Sequence, residues 1–369
     1  AGNISAVKQI SVTNIDTTAP IIELSANNNT TWAKSREVTV TLKDNESGLA
    51  GGAVVKYAWS TSNTTEPAAS DYKTATISSY SAGAKTATFT ASINSGTGKY
   101  YLWIQPVTLE NVAGKAQSTI AKSTGTFYID NTVPTVNATV PTNWTNGNKT
   151  ITVSGTDANS GIAGYYVGTT NSTPSATATG WSMTTTYSKG VGTYYVWSKD
   201  NAGNISAVKQ ISVTNIDTTG PTMNSLTAST TEWTNQNVTL TGKATDSQSG
   251  IIAYQFSQAN NITATSTGWR PITQTTSQIT QTESVDKTGT WYFYVKDAVG
   301  NVNKNSIAIK IDKTAPTMNS LTATTTNWTN QNVTLSGKGA DSQSGIVAYQ
   351  FSQANNITAT STGWRPITQ

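Results

Sequence analysis

The sequence predicts an all-β chain, a tandem and elongated array of antiparallel β-sandwich modules, and three observations predict it. The first is composition: only 11% of the 369 residues are charged and 36% are hydrophobic, where about a quarter charged is usual for a soluble domain. Thr, Ser, Asn and Gly replace the missing charge. β-Branched Thr tolerates a pleated surface and Asn and Gly tolerate turn dihedrals, so exposed strands and turns are favoured over long amphipathic helices. The second observation is internal repetition. Residues 222–274 match 317–369 with six differences in 53 positions, and residues 1–19 match 202–220 with one. The third is rhythm: short apolar or aromatic runs alternate with Gly, Asn, Asp and Ser clusters.

A string Ile-Asp-x-Thr-x-Pro marks the boundaries, at Asp16–Pro20, Asp130–Pro134, Asp217–Pro221 and Asp312–Pro316. Residues 16–129, 130–216 and 217–311 are therefore read as complete modules. Residues 1–15 are expected to be the last strand of a preceding module, and 312–369 the first half of a following one. In the third module the sequence predicts a short strand through Leu226, then Asn237–Thr241, Ile251–Phe256, a segment around Trp269, Gln278–Val285, Trp291–Val295 and Ile307–Ile311. Seven strands in about 90 residues is the size of an immunoglobulin-like sandwich. The first module is longer, and its insertions are expected between Ser47 and Tyr57 and around Ser79–Gly98.

The counts also exclude chemistry. With no Cys and no His, the chain cannot form disulfides, Cys nucleophiles, Ser-His-Asp triads or structural zinc clusters. Glu110, Glu232 and Glu283 are scattered over two modules, and no copy repeats two carboxylates that would face one cleft. The expectation is a protein without catalytic activity of its own. A net charge of +4 with no Lys or Arg run does not suggest nucleic acid. No apolar run approaches the roughly 18 residues that span a membrane. The chain opens without Met and shows no signal peptide or C-terminal anchor, which reads as a window on something longer.

The succession Ile-Asp-x-Thr-x-Pro, Trp233-Thr-Asn235, Asp246–Ile251 and Tyr292–Asn301 resembles the bacterial immunoglobulin-like repeats, of Big type, found in large Gram-positive surface proteins. The resemblance covers essentially the whole chain. It implies tandem immunoglobulin-like sandwiches displayed outside the cell on a bacterial surface, with a spacer or adhesive role. The first module departs from it, with Glu110–Gly114 where the others have Asp200–Gly203 and Asp297–Gly300.

A loop Asp-x-x-Ser-Gly recurs at Asp44–Gly48, Asp157–Gly161, Asp246–Gly250 and Asp341–Gly345. One reading is a turn in which Asp bonds backbone amides and Gly supplies positive φ. A second follows from topology, since in an immunoglobulin-like sandwich this loop, the turn before the last strand and the entering chain share one end. That would gather Asp130, Asp157 and Asp200 at one module's entry and Asp217, Asp246 and Asp297 at the next. Three hard oxygen donors there suit calcium. The Lys-Asp-x-x-Gly-Asn turn before the last strand reads as a hairpin with Gly in the left-handed region. Trp32, Trp144, Trp233 and Trp328 are expected to plug the opposite end of each sandwich. Tyr100, Tyr194 and Trp291, like Tyr101, Tyr195 and Tyr292, fall at matching strand positions, which reads as core. Residues 291–295 are apolar on both faces, so one face is expected to cover a neighbour or another chain.

The leading expectation is thus a structural stalk or fibre, whose partners are neighbouring modules and identical chains. The alternatives are an adhesin that binds host protein or glycan through loops or aromatic strand faces, and an accessory region of a secreted enzyme.

Overall fold

The structure is a computed structural model that describes residues 2–367; residues 1, 368 and 369 of the outermost segments lie outside the described residues. The chain forms two compact units. One holds the chain up to Pro141 with Lys149–Val213, and the other holds Thr142–Asn148 with the chain from Thr214 onward.

In the first unit, the leading module comprises β1 (Ile21–Leu24), β2 (Asn29–Ala33), β3 (Arg36–Lys43), β4 (Val54–Ser60), β5 (Lys73–Thr74), β6 (Thr86–Ile93), β7 (Gly98–Thr108), β8 (Ala121–Lys122) and β9 (Phe127–Ile129). They make one sheet in the order β1-β3-β6 and a second in the order β2-β9-β7-β4-β5, with β8 also on β7. The next strands are β10 (Asn137–Thr139), β11 (Lys149–Ser154), β12 (Ile162–Gly168), β13 (Thr186–Lys189), β14 (Gly192–Asp200) and β15 (Lys209–Val213). Their sheets are β10-β11-β13 and β12-β14-β15.

The second unit continues with β16 (Thr222–Ala228), β17 (Val238–Thr245), β18 (Ile251–Ser257), β19 (Arg270–Thr276), β20 (Gln278–Val285), β21 (Gly289–Asp297) and β22 (Val302–Ile309). Here the sheets are β16-β17-β20 and β19-β18-β21-β22. The fourth strand therefore joins the second sheet, whereas in a constant-type immunoglobulin domain it joins the first. After Asp312 come β23 (Thr317–Ala323) paired with β24 (Leu335–Ala340), and β25 (Ala348–Tyr349) paired with β26 (Arg365–Pro366). The registers of these pairs repeat those of β16 with β17 and of β18 with β19, bulge included. The fold is all-β, a series of immunoglobulin-like sandwiches.

Period-two alternation builds each core. On β3, Val38, Val40 and Leu42 are fully buried, with exposed or half-buried residues between them. On β17, Val238, Leu240 and Ala244 do the same against Phe293 and Val295. Gly242 interrupts that row because a Cβ there would lie 2.4 Å from the Phe293 ring. The missing side chain leaves room for the Phe293 ring, which stacks at 4.7 Å on its cross-strand neighbour Phe256 in the facing sheet.

Three expectations need correction, and residues 2–15 are found unpaired: they form no strand and are mostly exposed, with Ile4 94% and Val7 92% accessible. The same Lys-Gln-Ile-Ser-Val string at 209–213 is strand β15, because β14 offers it an edge to pair with; residues 8–12 have no such partner. The first module is lengthened between Ser47 and Tyr57 as expected, since Tyr57 follows Gly48 by nine residues where Tyr165 follows Gly161, and Tyr254 follows Gly250, by four. Its other extra length lies in residues 61–85 and 109–120 rather than around Ser79–Gly98, where β6 and β7 are joined by an ordinary hairpin, 94–97.

The four Trp residues are not plugs either. Trp144, Trp233 and Trp328 are 38%, 41% and 104% exposed, and Trp32 lies half-buried against Tyr128. In the second and third modules, backbone pairing is made by the next residue, in the parallel bridges Thr145 to Ile216 and Thr234 to Ile311, which leaves the indole at the surface. Last, the outer aromatic face of β21 is covered from within its own module. The chain's own connection folds over it: Tyr294 donates to Ala259 O, Lys296 sits 4.8 Å above Trp269, and Lys304 sits 4.7 Å above Tyr292. Tyr294 is thereby 2% exposed although it points away from the main core.

Candidate metal centre

Each boundary aspartate is shared between two modules. Its backbone N–H closes onto the earlier one: Asp130 N–H donates to Ala33 O at 2.9 Å, Asp217 to Thr145 O at 2.8 Å and Asp312 to Thr234 O at 2.9 Å. Its carboxylate is gripped by the later one. For Asp217, Oδ1 accepts from the Thr219 N–H and hydroxyl, both at 3.1 Å, and Oδ2 accepts from the Ser249 N–H at 3.1 Å and its hydroxyl at 2.7 Å. Asp312 repeats this with Thr314 and Ser344. Asp130 uses Thr132 and Ser160 in the same way and, in addition, accepts the hydroxyl of Thr97 from the earlier module. The Thr of Asp-x-Thr and the Ser of Ser-Gly thus recur because they supply these donors.

The recurrent loop organises itself in the same way. Asp246 Oδ1 accepts the N–H groups of Gln248 and Gly250, the latter at 2.7 Å. Gly250 needs its φ of +80° to present that N–H, and a Cβ there would come within 2.7 Å of the Thr275 methyl. Both readings of the loop therefore meet: it is a turn, and it also delivers a carboxylate to the boundary.

The six aspartates proposed from sequence assemble into two clusters, Asp130–Asp157–Asp200 and Asp217–Asp246–Asp297, with one oxygen from each within 4.8 Å of the others. Asp130, Asp200, Asp217, Asp246 and Asp297 are buried, and Asp157 is half-buried. Three like charges so close need compensation, and N–H donors supply much of it. Asn204 donates its backbone N–H and its carboxamide to Asp200 at 2.8 and 2.7 Å and bridges to Asp130 O. Asn301 does the same for Asp297 and Asp217 O. The Asp157 Oδ2 atom is buried and has no hydrogen-bond partner, which leaves it open to a hard cation.

The electrostatics divide each cluster. Burial pushes the Asp200 carboxyl up, Asn204 opposes it, and the nearby charges of Asp130 and Asp157 push it higher. Asp297 is raised for the same reasons, with Asp217 as the like charge. Burial also acts on Asp130 and Asp217, but the bonds from Ser160 and Thr132, and from Ser249 and Thr219, outweigh it and hold both carboxyls down.

The first module solves the problem differently. Asn111 stands where the others have Asp200 and Asp297, and its carboxamide donates to Asp16 Oδ2 at 2.8 Å, to Asp44 Oδ2 at 3.2 Å and to Thr18 O at 2.8 Å. A neutral donor replaces the third aspartate and bridges Asp16 to Asp44, while Glu46, which shares the Thr18 hydroxyl with Asp16, is pushed up by it. The amides of Asn111, Asn204 and Asn301 were not singled out by the sequence reading, which took the turn as a hairpin. Their recurrence beside Asp in two copies was the available signal.

The aromatic side chains offer less for recognition than their number suggests. Trp269 spends its Nε1 on Thr263 O and carries Lys296 over its ring, and Trp181 spends its own on Ser175 O with Lys199 4.9 Å above it. These indoles brace the connection that covers the outer sheet face.

No protein-family model matches the sequence. No curated protein sequence matches it. Among solved structures, the tetra-tandem repeat in the extending region of a large adhesion protein is similar over 87% of this chain and 80% of that one, at 19% identity and a TM-score of 0.25. The N-terminal eight Ig domains of Down Syndrome Cell Adhesion Molecule are similar over 83% of this chain, at 12% identity and a TM-score of 0.27. This chain spans 38% of that one's length. The human Desmocollin-1 ectodomain is similar over 80% of this chain and 59% of that one, at 11% identity and a TM-score of 0.24.

Proposed function

We propose that this chain is a non-catalytic structural segment of an extracellular stalk or fibre on a bacterial surface, built from immunoglobulin-like repeats of the Big type. The observation that carries the reading is the shared aspartate. At Asp130, Asp217 and Asp312, one residue ends the backbone pairing of one module and is held by the next through its side chain. No Gly/Ser linker intervenes, and a Pro follows four residues later each time, which restricts φ. Length is then the useful product, delivered by repetition rather than by an active site.

Calcium at the two aspartate triads belongs to this proposal. Hard carboxylate oxygens and nearby carbonyls suit that ion, and Asp157 Oδ2 lacks any other partner. The boundary at Asp16 is expected to ignore calcium, because Asn111 already bridges its two aspartates. Negative-stain electron microscopy of the whole chain, with calcium and then with chelator, tests the reading. Particles with a narrow spread of module-to-module angles support it, with chelation loosening only the boundaries at Asp130 and Asp217. Freely jointed beads in both conditions would sink it.

A further inference from the structure

The turn that follows the Trp-Thr pair is built alike at Trp144, Trp233 and Trp328, and one copy differs in its chemistry. In each, the Thr hydroxyl accepts the backbone N–H two residues on: Gly147 donates to Thr145 Oγ1 at 3.3 Å, Gln236 to Thr234 Oγ1 at 3.1 Å and Gln331 to Thr329 Oγ1 at 3.0 Å. The residue between them is always Asn, at 146, 235 and 330. In the latter two copies the Gln side chain turns back and donates to the carboxamide oxygen of that Asn, at 3.0 Å on Asn235 and 3.1 Å on Asn330. Gly147 has no side chain to do so, and Asn146 stands exposed.

The fold does not ask for this glycine. Glycine is needed where φ is positive or where another group crowds the Cβ position. The φ of Gly147 lies outside the left-handed region, and a Cβ built there would meet nothing within 4 Å. Gln236 and Gln331 fill the same place in the same turn. What the glycine changes is access: no Cβ shields its backbone nitrogen from the Asn146 side chain. That nitrogen is held by a neighbouring hydroxyl rather than by a strand partner, since the pairing of β11 begins only at Lys149. Asn146 and Gly147 are also the one Asn-Gly pair in the sequence.

We propose that Asn146 is a site of spontaneous deamidation. The Gly147 nitrogen gives its proton to solvent base and attacks Asn146 Cγ. The new N–Cγ bond closes a succinimide ring, the Cγ–Nδ2 bond breaks, and the side-chain nitrogen leaves as ammonia. Water then opens the ring at either carbonyl, giving aspartate or isoaspartate, with no oxidant or enzyme required. Both products put a carboxylate beside Thr145, and isoaspartate also lengthens the backbone by one methylene. Thr145 carries the pairing that leads to the boundary aspartate: its N–H donates to Asn215 O at 3.1 Å and its carbonyl accepts the Asp217 N–H at 2.8 Å. Conversion therefore loosens these two bonds, so that the age of the protein is written into the hold on Asp217. This site goes beyond the stalk reading and does not depend on it.

Peptide mapping by mass spectrometry of the whole chain, incubated at mildly alkaline pH, tests the site. The expected result is the mass gain of an NH2-to-OH exchange at residue 146, with isoaspartate among the products, no gain at Asn235 or Asn330, and loss of the gain in Gly147→Gln. The turn at Gln236 shows that this variant suits the fold. Hydrogen exchange at 145 and 217 should be faster in the converted chain than in the fresh one. No gain at Asn146, an equal gain at Asn235 or an undiminished gain in Gly147→Gln would overturn the proposal, as would aspartate formed without isoaspartate. Unchanged exchange at 145 and 217 would overturn the consequence drawn for the boundary.

Discussion

Asp200 and Asp297 hold their protons more tightly than an ordinary aspartate, while Asp130 and Asp217 beside them hold theirs less tightly. The two kinds act on stability with opposite sign. A raised carboxyl favours the folded state when protonated, so its cost at neutral pH is relieved as pH falls through its raised value. A lowered carboxyl stabilises the fold when ionised, and that contribution is lost below the ordinary value of about 3.9. The second and third modules should therefore gain stability on mild acidification and lose it on further acidification, as thermal unfolding across pH would show. Asn204→Ala should lower stability by about 1–3 kcal/mol, read by chemical denaturation, because the buried Asp200 carboxylate and the Asp130 carbonyl both lose a donor. Unchanged stability would mean that water replaces the amide without cost.

Strands are where the sequence was most legible, and β15 shows the limit. Its five residues recur unchanged at 8–12, yet only the copy beside β14 is a strand, since a strand exists through its partner and not through propensity alone. The assembly of the aspartates could be foreseen because each sits at a fixed point of a repeated topology. The exposure of Trp144 and Trp233, and the folding of residues 258–269 over Tyr294, could not. Both depend on side-chain packing between segments distant in sequence, which a period of two does not encode. At this scale Gly242→Ala should destabilise the third module by about 1–3 kcal/mol, measured by denaturation, because Phe293 occupies the space of the added methyl. Grafting the first module's solution is a sharper trial. Asp297→Asn with Asn301→Lys should remove the third module's gain in stability on mild acidification, if an amide donor can stand in for the third charge as Asn111 does, while the loss on further acidification set by Asp217 stays. A gain as large as in wild type would show that Asp297 is not its source.

For the whole molecule, repetition of one boundary design matters more than any single module. If each shared aspartate couples its neighbours, loosening the later module's grip should be felt on the earlier side. The most direct test is hydrogen exchange on wild type and Asp217→Ala. The substitution leaves the backbone bond from residue 217 to Thr145 in place and removes the carboxylate that holds Ser249 and Thr219. The account predicts faster exchange in both 246–250 and 214–218, on the two sides of the boundary. Acceleration confined to 246–250 would contradict it, because the aspartate would then organise one loop and join nothing.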